Sequence, residues 1–416
     1  MSTTANGLQT RERRILINTC YGHLLSHLNM LVFPAVILPL TGVFGLEMSA
    51  VLAMSFWMYL LFGLTALPWG LAADRWGAGP MMVIFYAGAG LAALAAASLL
   101  DRPSLFVLSL AFLGLFSGVY HPAGLGLISK QMTRVSLGMG YNGMFGNLGI
   151  AAAPLLAGLV NWLWGPRIVY LILGGLNLAG LLLMLLFPLR SGGREDKTVS
   201  SADNGQLPAF FILLAAMMLG GIIYRGATVI LPAYFELKGQ GIFAWLQATG
   251  GRELSPNLVA TGLVSLIYLV GMLGQYAGGH IADRYSTRYS YLLFHATAIP
   301  AAAGIALAND LPLVMAAGVY VFFLLGVQPI ENTLVAAFTP RRFHHSAFGL
   351  KFVLTFGVGS LAVKMVAALQ NRSGIEAVFF GLGMTSLLLV LVIFVLIRNT
   401  SPRRRGAEET VATPAG

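Results

Sequence analysis

Apolar residues run along this chain in stretches long enough to cross a bilayer, separated by short polar breaks. Crossing a hydrocarbon core ~30 Å thick takes about 20 residues at ~1.5 Å each. Stretches of that length lie near 15–40, 49–73, 80–100, 103–129, 137–163 and 166–189, and again near 208–235, 256–282, 289–308, 312–338, 346–370 and 374–398. The pattern predicts an all-α integral membrane protein of twelve transmembrane helices in two six-helix bundles. The first stretch carries no small-residue cleavage site and is too long for the apolar part of a signal peptide, so it is expected to be retained.

Two polar breaks are longer than the rest. Residues 190–207 (RSGGREDKTVSSADNGQL) are expected to form a flexible cytoplasmic joint between an N-terminal bundle, 1–189, and a C-terminal bundle, 208–400. Residues 401–416 follow as a cytoplasmic tail. Residues 236–255 hold Phe243 and Trp245, which suit an interfacial anchor better than a lid.

Composition agrees with the pattern. The 416 residues are 57% hydrophobic and only 10% charged, with a mean hydropathy of +0.79, whereas a soluble domain needs about 25% charged residues to cover its surface. The 50 glycines fit helices that pack closely in lipid. Cys20 is the sole cysteine, which excludes an internal disulfide. The net charge of +10 does not mark a nucleic-acid binder, because the basic residues form no continuous face or aromatic-basic module.

Their placement instead sets an orientation. With both termini in the cytoplasm, 17 of the 25 Lys and Arg fall on the inner side, from Arg11, Arg13 and Arg14 through Arg75, Lys130 and Arg134 to Arg403, Arg404 and Arg405. Five fall outside (Arg102, Arg167, Lys238, Arg252 and Arg372), and Arg225, Lys351 and Lys364 lie within spans. A bias of this size predicts a multi-pass protein of the cell membrane with cytoplasmic termini.

The two halves echo each other. Gly70 to Arg75 after the second span and Gly279 to Arg284 after the eighth both read G-x-x-A-D-R, 209 positions apart. His121-Pro122 in the fourth span matches Gln328-Pro329 in the tenth, 207 positions apart. Parallel six-span repeats with a site between them at mid-membrane are one way transporters are built.

Here a family resemblance enters. Gly70 to Gly77 (GLAADRWG) resembles the motif G-x-L-A-D-R-x-G that major facilitator transporters carry between helices two and three. The resemblance implies that Asp74 and Arg75, framed by Gly70 and Gly77, latch the outward-facing state by contacts to a helix terminus and a neighbouring Arg across the halves. Gly279, Asp283 and Arg284 would be a weaker second copy. The plainer alternative, that Asp and Arg only cap and anchor helix ends, does not explain the doubling. Gly140, Gly149, Ala153-Pro154 and Ala157-Gly158 resemble the family's antiporter motif G-x8-G-x3-G-P-x2-G-G, with alanine at two glycine positions. That stripe of small residues around a Pro bend is expected to pack closely on the opposite half. The His27 region with Tyr120-His121-Pro122 is similar to fosmidomycin-resistance-type exporters. One departure is that Gly114 stands near the place where many drug antiporters of the family carry an Arg in helix four.

Ionisable and polar residues inside spans are costly and mark candidate pathways. His23 and His27 lie one turn apart on the first span, on a face that Cys20 and Met30 continue. The fourth span offers Tyr120 and His121, the fifth Asn142 and Asn147, and the seventh Tyr224 and Arg225. The tenth holds Gln328, Glu331 and Asn332, and the eleventh Lys351 and Lys364. Glu331 and Lys351, at similar depths, either neutralise one another or take part in coupling. Arg225 is expected to be able to snorkel outward, whereas Lys364 has no easy route and is the better candidate for the site. His280, His344 and His345 border loops.

With Arg225, Lys364 and three histidines against one carboxylate, Glu331, the spans favour an anion, or a polar molecule with negative groups, over a cationic drug. The expectation is a secondary transporter exchanging a small molecule for protons through the histidines and Glu331. It is expected to be monomeric in its lipid bilayer, with no cofactor, no nucleic-acid partner and no bound metal. The alternative is a copper or zinc transporter using the Cys20, His23, His27 and Met30 face. Short loops leave no room for a signalling domain, and no nucleophile-and-base cluster points to an enzyme.

Overall fold

In lipid a chain must satisfy its own backbone polar groups, so each apolar run is driven into a helix. In the computed structural model, which describes residues 10–189, 206–250, 253–339 and 349–400, every predicted run is helical over most of its described residues. Most of the 190–207 joint, Arg252, Arg341, Arg342, His344, His345 and the 401–416 tail lie outside the described residues.

The first span joins Thr10–Ala35 to Ile37–Phe44 across a 55° bend, and the second joins Met48–Leu64 to Ala66–Trp76 across 42°. Spans three to six are Ala78–Ser98, Pro103–Gln131, Leu137–Trp164 and Pro166–Leu186. Spans seven to twelve are Leu207–Lys238, Pro256–Arg284, Thr287–Leu307, Asp310–Phe338, Gly349–Ser373 and Glu376–Asn399. The expected outer loop is largely a further helix, Gln240–Gly250, which buries none of its residues and exposes Trp245. It is tied to the tenth span by the Ile242 amide, which donates to Asp310 Oδ1 at 2.9 Å.

The bends follow from proline, which withholds an N–H from the carbonyl four residues earlier. Pro34 deprives Met30 in this way, and the Tyr59 hydroxyl donates to the Met30 carbonyl at 2.7 Å instead. Pro68 does the same to Leu64 beside the second bend. In the fourth span Pro122 sits in a wide π-turn, His121–Leu125. The eleventh span is irregular over Val353–Ser360 before continuing as Leu361–Ser373.

Spans one to six pack into one bundle and seven to twelve into another, and the two meet mainly along the fifth and eighth spans and along the second and eleventh. Small residues permit both contacts. A side chain at Gly63 would collide with the Gly357 backbone, and one at Gly158 with the Thr261 side chain. Polar groups fasten the first seam. The Leu155 amide, just after Pro154, donates to Ser265 Oγ at 2.9 Å, and Asn161 Nδ2 donates to Asn257 Oδ1 at 3.1 Å. Asn257 Nδ2 donates in turn to the Ala35 carbonyl (2.9 Å) and to Glu236 (2.8 Å), gathering four spans at one face of the bundle.

The opposite face, where Thr10 and Asn399 lie, is looser. Beyond the Asn147–Gln275 hydrogen bond (2.7 Å) the fifth and eighth spans part, and side chains at Gly140, Gly143 or Gly279 would meet open space. The hydrogen bonds between the fifth and eighth spans thus run from Asn147 to Asn161, and none is seen among the described residues between Asn147 and the face that carries the termini.

A variant lacking Cys20 and carrying Asn161→Cys with Asn257→Cys should form a disulfide readily in membranes. Adding Gly158→Leu should suppress that cross-link, because the new side chain would hold the seam apart. Undiminished cross-linking in the Gly158→Leu variant would show that the seam does not depend on this glycine.

Candidate functional site

Three histidines meet where the bent first span and the π-turn of the fourth come together. His23 and His27 are one helical turn apart, and their Nε2 atoms lie 3.2 Å from each other. His23 Nδ1 lies 2.8 Å from the Asn142 carbonyl, which accepts only, so Nδ1 carries the hydrogen. His23 Nε2 then holds a lone pair, and His27 Nε2 must donate to it. The third ring is His121, whose centroid is 5.3 Å from His23 and 5.7 Å from His27.

Tyr120 supports this cluster from behind. Its ring stacks on His23 at 5.1 Å, its hydroxyl donates to the Thr19 carbonyl (2.7 Å), and it accepts from Asn142 Nδ2 (2.6 Å). Glycine makes the room: a side chain at Gly146 would occupy the His23 ring, and one at Gly22 would press on Tyr120. From the other half, Phe352 and Phe356 of the eleventh span pack on His121, together with Phe62 of the second.

Arg225 faces this cluster from the seventh span, within electrostatic range of His27. Its guanidinium lies 3.7 Å from the centroid of Tyr59, a second-span residue, so the contact crosses from one half to the other. The residue is 3% exposed and its Nε has no hydrogen-bond partner. Among the described residues no carboxylate pairs with it. A buried cation held by an aromatic face without a counter-ion carries an uncompensated desolvation cost.

The two cations differ from expectation in their burial. Lys364 is exposed, with its Nζ 4.1 Å from the Phe56 ring centroid, whereas Arg225 does not snorkel. Lys364 lies nine residues before Ser373, the last residue of the eleventh span. The Cys20–Met30 stripe also breaks up. Ten residues of helix span about 15 Å, so its four members cannot surround one point. Cys20 packs with Ile15, Leu16, Leu127, Ile128 and Met132, Met30 is buried in the main core, and His121 takes the third place beside His23 and His27.

A second polar cluster lies within the C-terminal half. Glu331 pairs with Lys351 at 3.3 Å and accepts from the Tyr291 hydroxyl at 2.9 Å, while Lys351 also donates to Asn332 at 2.7 Å. His295 of the ninth span, 2% exposed beside Tyr291 and with Nε2 unpartnered, joins His23, His27 and His121 as a fourth histidine away from the span ends. His295 could have been found from the sequence by its place in an apolar run; Tyr59 and Tyr291 carry no such signal. Gln328 accepts from Gln275 Nε2 at 3.0 Å, which completes a chain from Asn147 of the fifth span to the tenth.

The motif residues fall at helix ends and seams. Gly77 takes φ +87° at the turn between the second and third spans, a conformation that favours glycine, and Gly70 lies against Pro122. Asp74 pairs with Lys130 at 2.7 Å within its own half, rather than across the halves. Among the described residues Asp283 and Arg284 form no ion pair, and Gly279 faces open space. Of the antiporter-like stripe, Gly158 and Pro154 serve the seam with the eighth span, Gly149 packs on Leu24 of the first span, and Gly140 contacts nothing.

A family profile, that of the Major Facilitator Superfamily, matches residues 19–363. No functionally curated protein matches the sequence. Solved structures do resemble the fold. A bacterial homologue of the human lysosomal transporter Spinster, inward-facing and unoccupied, superposes with a TM-score of 0.72 at 14% identity, covering 94% of this chain and 98% of its own. A single-residue variant of the nucleoside transporter NupG gives 0.73 at 14% identity, covering 93% and 100%. The peptide transporter POT in complex with sulfate gives 0.71 at 15%, covering 93% and 94%.

Arg225→Met should melt no lower than the wild type, because removing an uncompensated buried charge relieves its desolvation cost. Tyr59→Leu, which keeps the charge and removes the ring beneath it, should lose about 2 kcal/mol of stability. Thermal melts of the two detergent-purified variants test this. Equal destabilisation of both would show that Arg225 is a packing residue.

Proposed function

Because the chain belongs to the Major Facilitator Superfamily, and is therefore a multi-pass membrane transporter rather than an enzyme, we propose that it carries a small anion, or a polar molecule bearing a negative group, by alternating access. The observation that carries this reading is Arg225: buried, without a carboxylate partner, and lying across the boundary of the two halves on Tyr59. A negative group beside it would lower the cost of that charge in whichever state encloses it. Such a difference in affinity between states is what lets a ligand drive a conformational change. Gln328, Gln275, Asn147 and Tyr224 supply further polar contacts around the same boundary.

Direction and coupling belong to the same proposal. The distribution of Lys and Arg supports cytoplasmic termini in a cell membrane, which would make the face that carries the termini the inner one. Export in exchange for protons is supported by the antiporter-like stripe, two of whose members, Pro154 and Gly158, form the closed outer seam. Glu331 is the proposed proton carrier. Protonating it would release Lys351 and Tyr291, which now hold it, and loosen the tenth span from the eleventh and ninth. Asp74 is proposed to exchange its exposed Lys130 partner for a contact across the halves when the inner face closes. A divalent cation as free cargo is disfavoured by the unopposed charge of Arg225.

The test is flux in proteoliposomes with an imposed proton gradient, screened over organic mono- and dianions. Arg225→Gln should reduce uptake of the preferred anion ~10-fold or more, the worth of a charge-assisted hydrogen bond. Arg225→Lys should recover part of it, and Lys364→Gln should leave it largely unchanged. Glu331→Gln should abolish gradient-driven flux while sparing exchange of anion for anion. Full flux in Arg225→Gln would remove the anion site.

Asp74→Asn should cost little stability, since an exposed ion pair is worth ~0–1 kcal/mol. It should instead raise the reactivity of Gly140→Cys toward a membrane-impermeant thiol reagent on the inner side, in a background without Cys20. Unchanged reactivity and transport would count against the latch.

A further inference from the structure

The three-histidine centre has the bite and the backing of a metal site. His23, His27 and His121 each bring one ring nitrogen to within 4.8 Å of the others. The Nε2 atoms of His23 and His27 are already 3.2 Å apart. A tetrahedral ion with metal–nitrogen bonds of ~2.0–2.1 Å holds its donor nitrogens about 3.3 Å apart. Two ligands are thus in place without an ion, and His121 needs only a shift of its ring.

The hydrogen bonds point the same way. The Asn142 carbonyl holds the Nδ1 hydrogen of His23 and so turns the Nε2 lone pair toward His27. A hydrogen-bonded second nitrogen of this kind is how metal-binding imidazoles are usually oriented. Between His23 and His27 a single hydrogen now occupies the space where an ion would sit, and moving it to His27 Nδ1 frees both lone pairs. Gly146 leaves the His23 ring its place, and the stacked Tyr120 ring keeps it there.

We propose that His23, His27 and His121 bind one divalent late transition-metal ion of the zinc, cobalt or nickel class, with a fourth position open to water or to a donor atom of the transported anion. Three imidazoles without a carboxylate suit such ions and not magnesium or calcium. The absence of Cys20 and Met30 from the group makes a copper(I) site the poorer fit. The charge of Arg225 acts against a bare cation, and an anionic fourth ligand would offset it. The metal site stands on the histidine geometry alone; only the identity of the fourth ligand rests on the anion reading.

The experiment is a cobalt(II) titration of the full-length protein in detergent, free of any affinity tag and of organic anions, followed by visible absorption and equilibrium dialysis. One ion per chain should bind with the intense ligand-field bands of four-coordinate cobalt, and zinc should displace it. His23→Ala and His27→Ala should each weaken binding ~100-fold, at least the effect of losing a supporting partner of a ligand. Arg225→Met should bind cobalt as well as the wild type or better, so a failed anion site and a failed metal site give different results. Wild-type protein with no stoichiometric four-coordinate signal would overturn the proposal. So would a signal that survives in the folded His23→Ala, His27→Ala double variant, because the ion would then lie elsewhere in the protein.

Discussion

A guanidinium lying 3.7 Å from an aromatic centroid, with no carboxylate beside it, joins the two halves of this protein at their common boundary. Tyr59 serves both sides of the contact. Its ring carries Arg225, and its hydroxyl satisfies the Met30 carbonyl that Pro34 leaves without a donor. The bend of the first span, the position of the second and the charge on the seventh are therefore linked through one side chain. Without the ring the charge would be unsupported; without the hydroxyl the bend would leave a bare carbonyl in the core.

The two halves treat charge differently. In the C-terminal half Glu331 and Lys351 are paired and further satisfied by Tyr291 and Asn332. The N-terminal half offers a cluster of three histidines with no carboxylate among them. Arg225 belongs to the first of these by chain and to the second by position. A transporter that rocks two rigid bundles needs a ligand whose contacts on both sides change together. On the proposed reading, an unpaired cation on one bundle, beside the histidines of the other, would provide that arrangement for an anion.

Much of the architecture could be read from the chain, because the length of an apolar run is a one-dimensional property. The twelve runs fall on the twelve spans, and the repeated G-x-x-A-D-R falls at corresponding turns. The site was less readable. Depth along a helix does not say which way a side chain faces or what supports it, so the sequence did not show that Arg225 is buried and Lys364 exposed. Spacing of three and four residues aligned Cys20, His23, His27 and Met30, yet a stripe ten residues long needs a partner from another helix, and His121 supplies it. The partnerships that proline creates, Tyr59 with the Met30 carbonyl and Ser265 with the Leu155 amide, arise only when distant spans meet.

The central claim is that Arg225 is held without a counter-ion because its counter-ion is the substrate. Anion-induced thermal stabilisation of the purified protein, compared between wild type and Arg225→Met across a panel of small organic anions, tests it most directly. The wild type should be stabilised in a saturable manner by at least one anion class, and Arg225→Met should melt as high without ligand yet gain nothing from that class. Equal stabilisation of both proteins would contradict the account, since the anion would then bind where Arg225 plays no part.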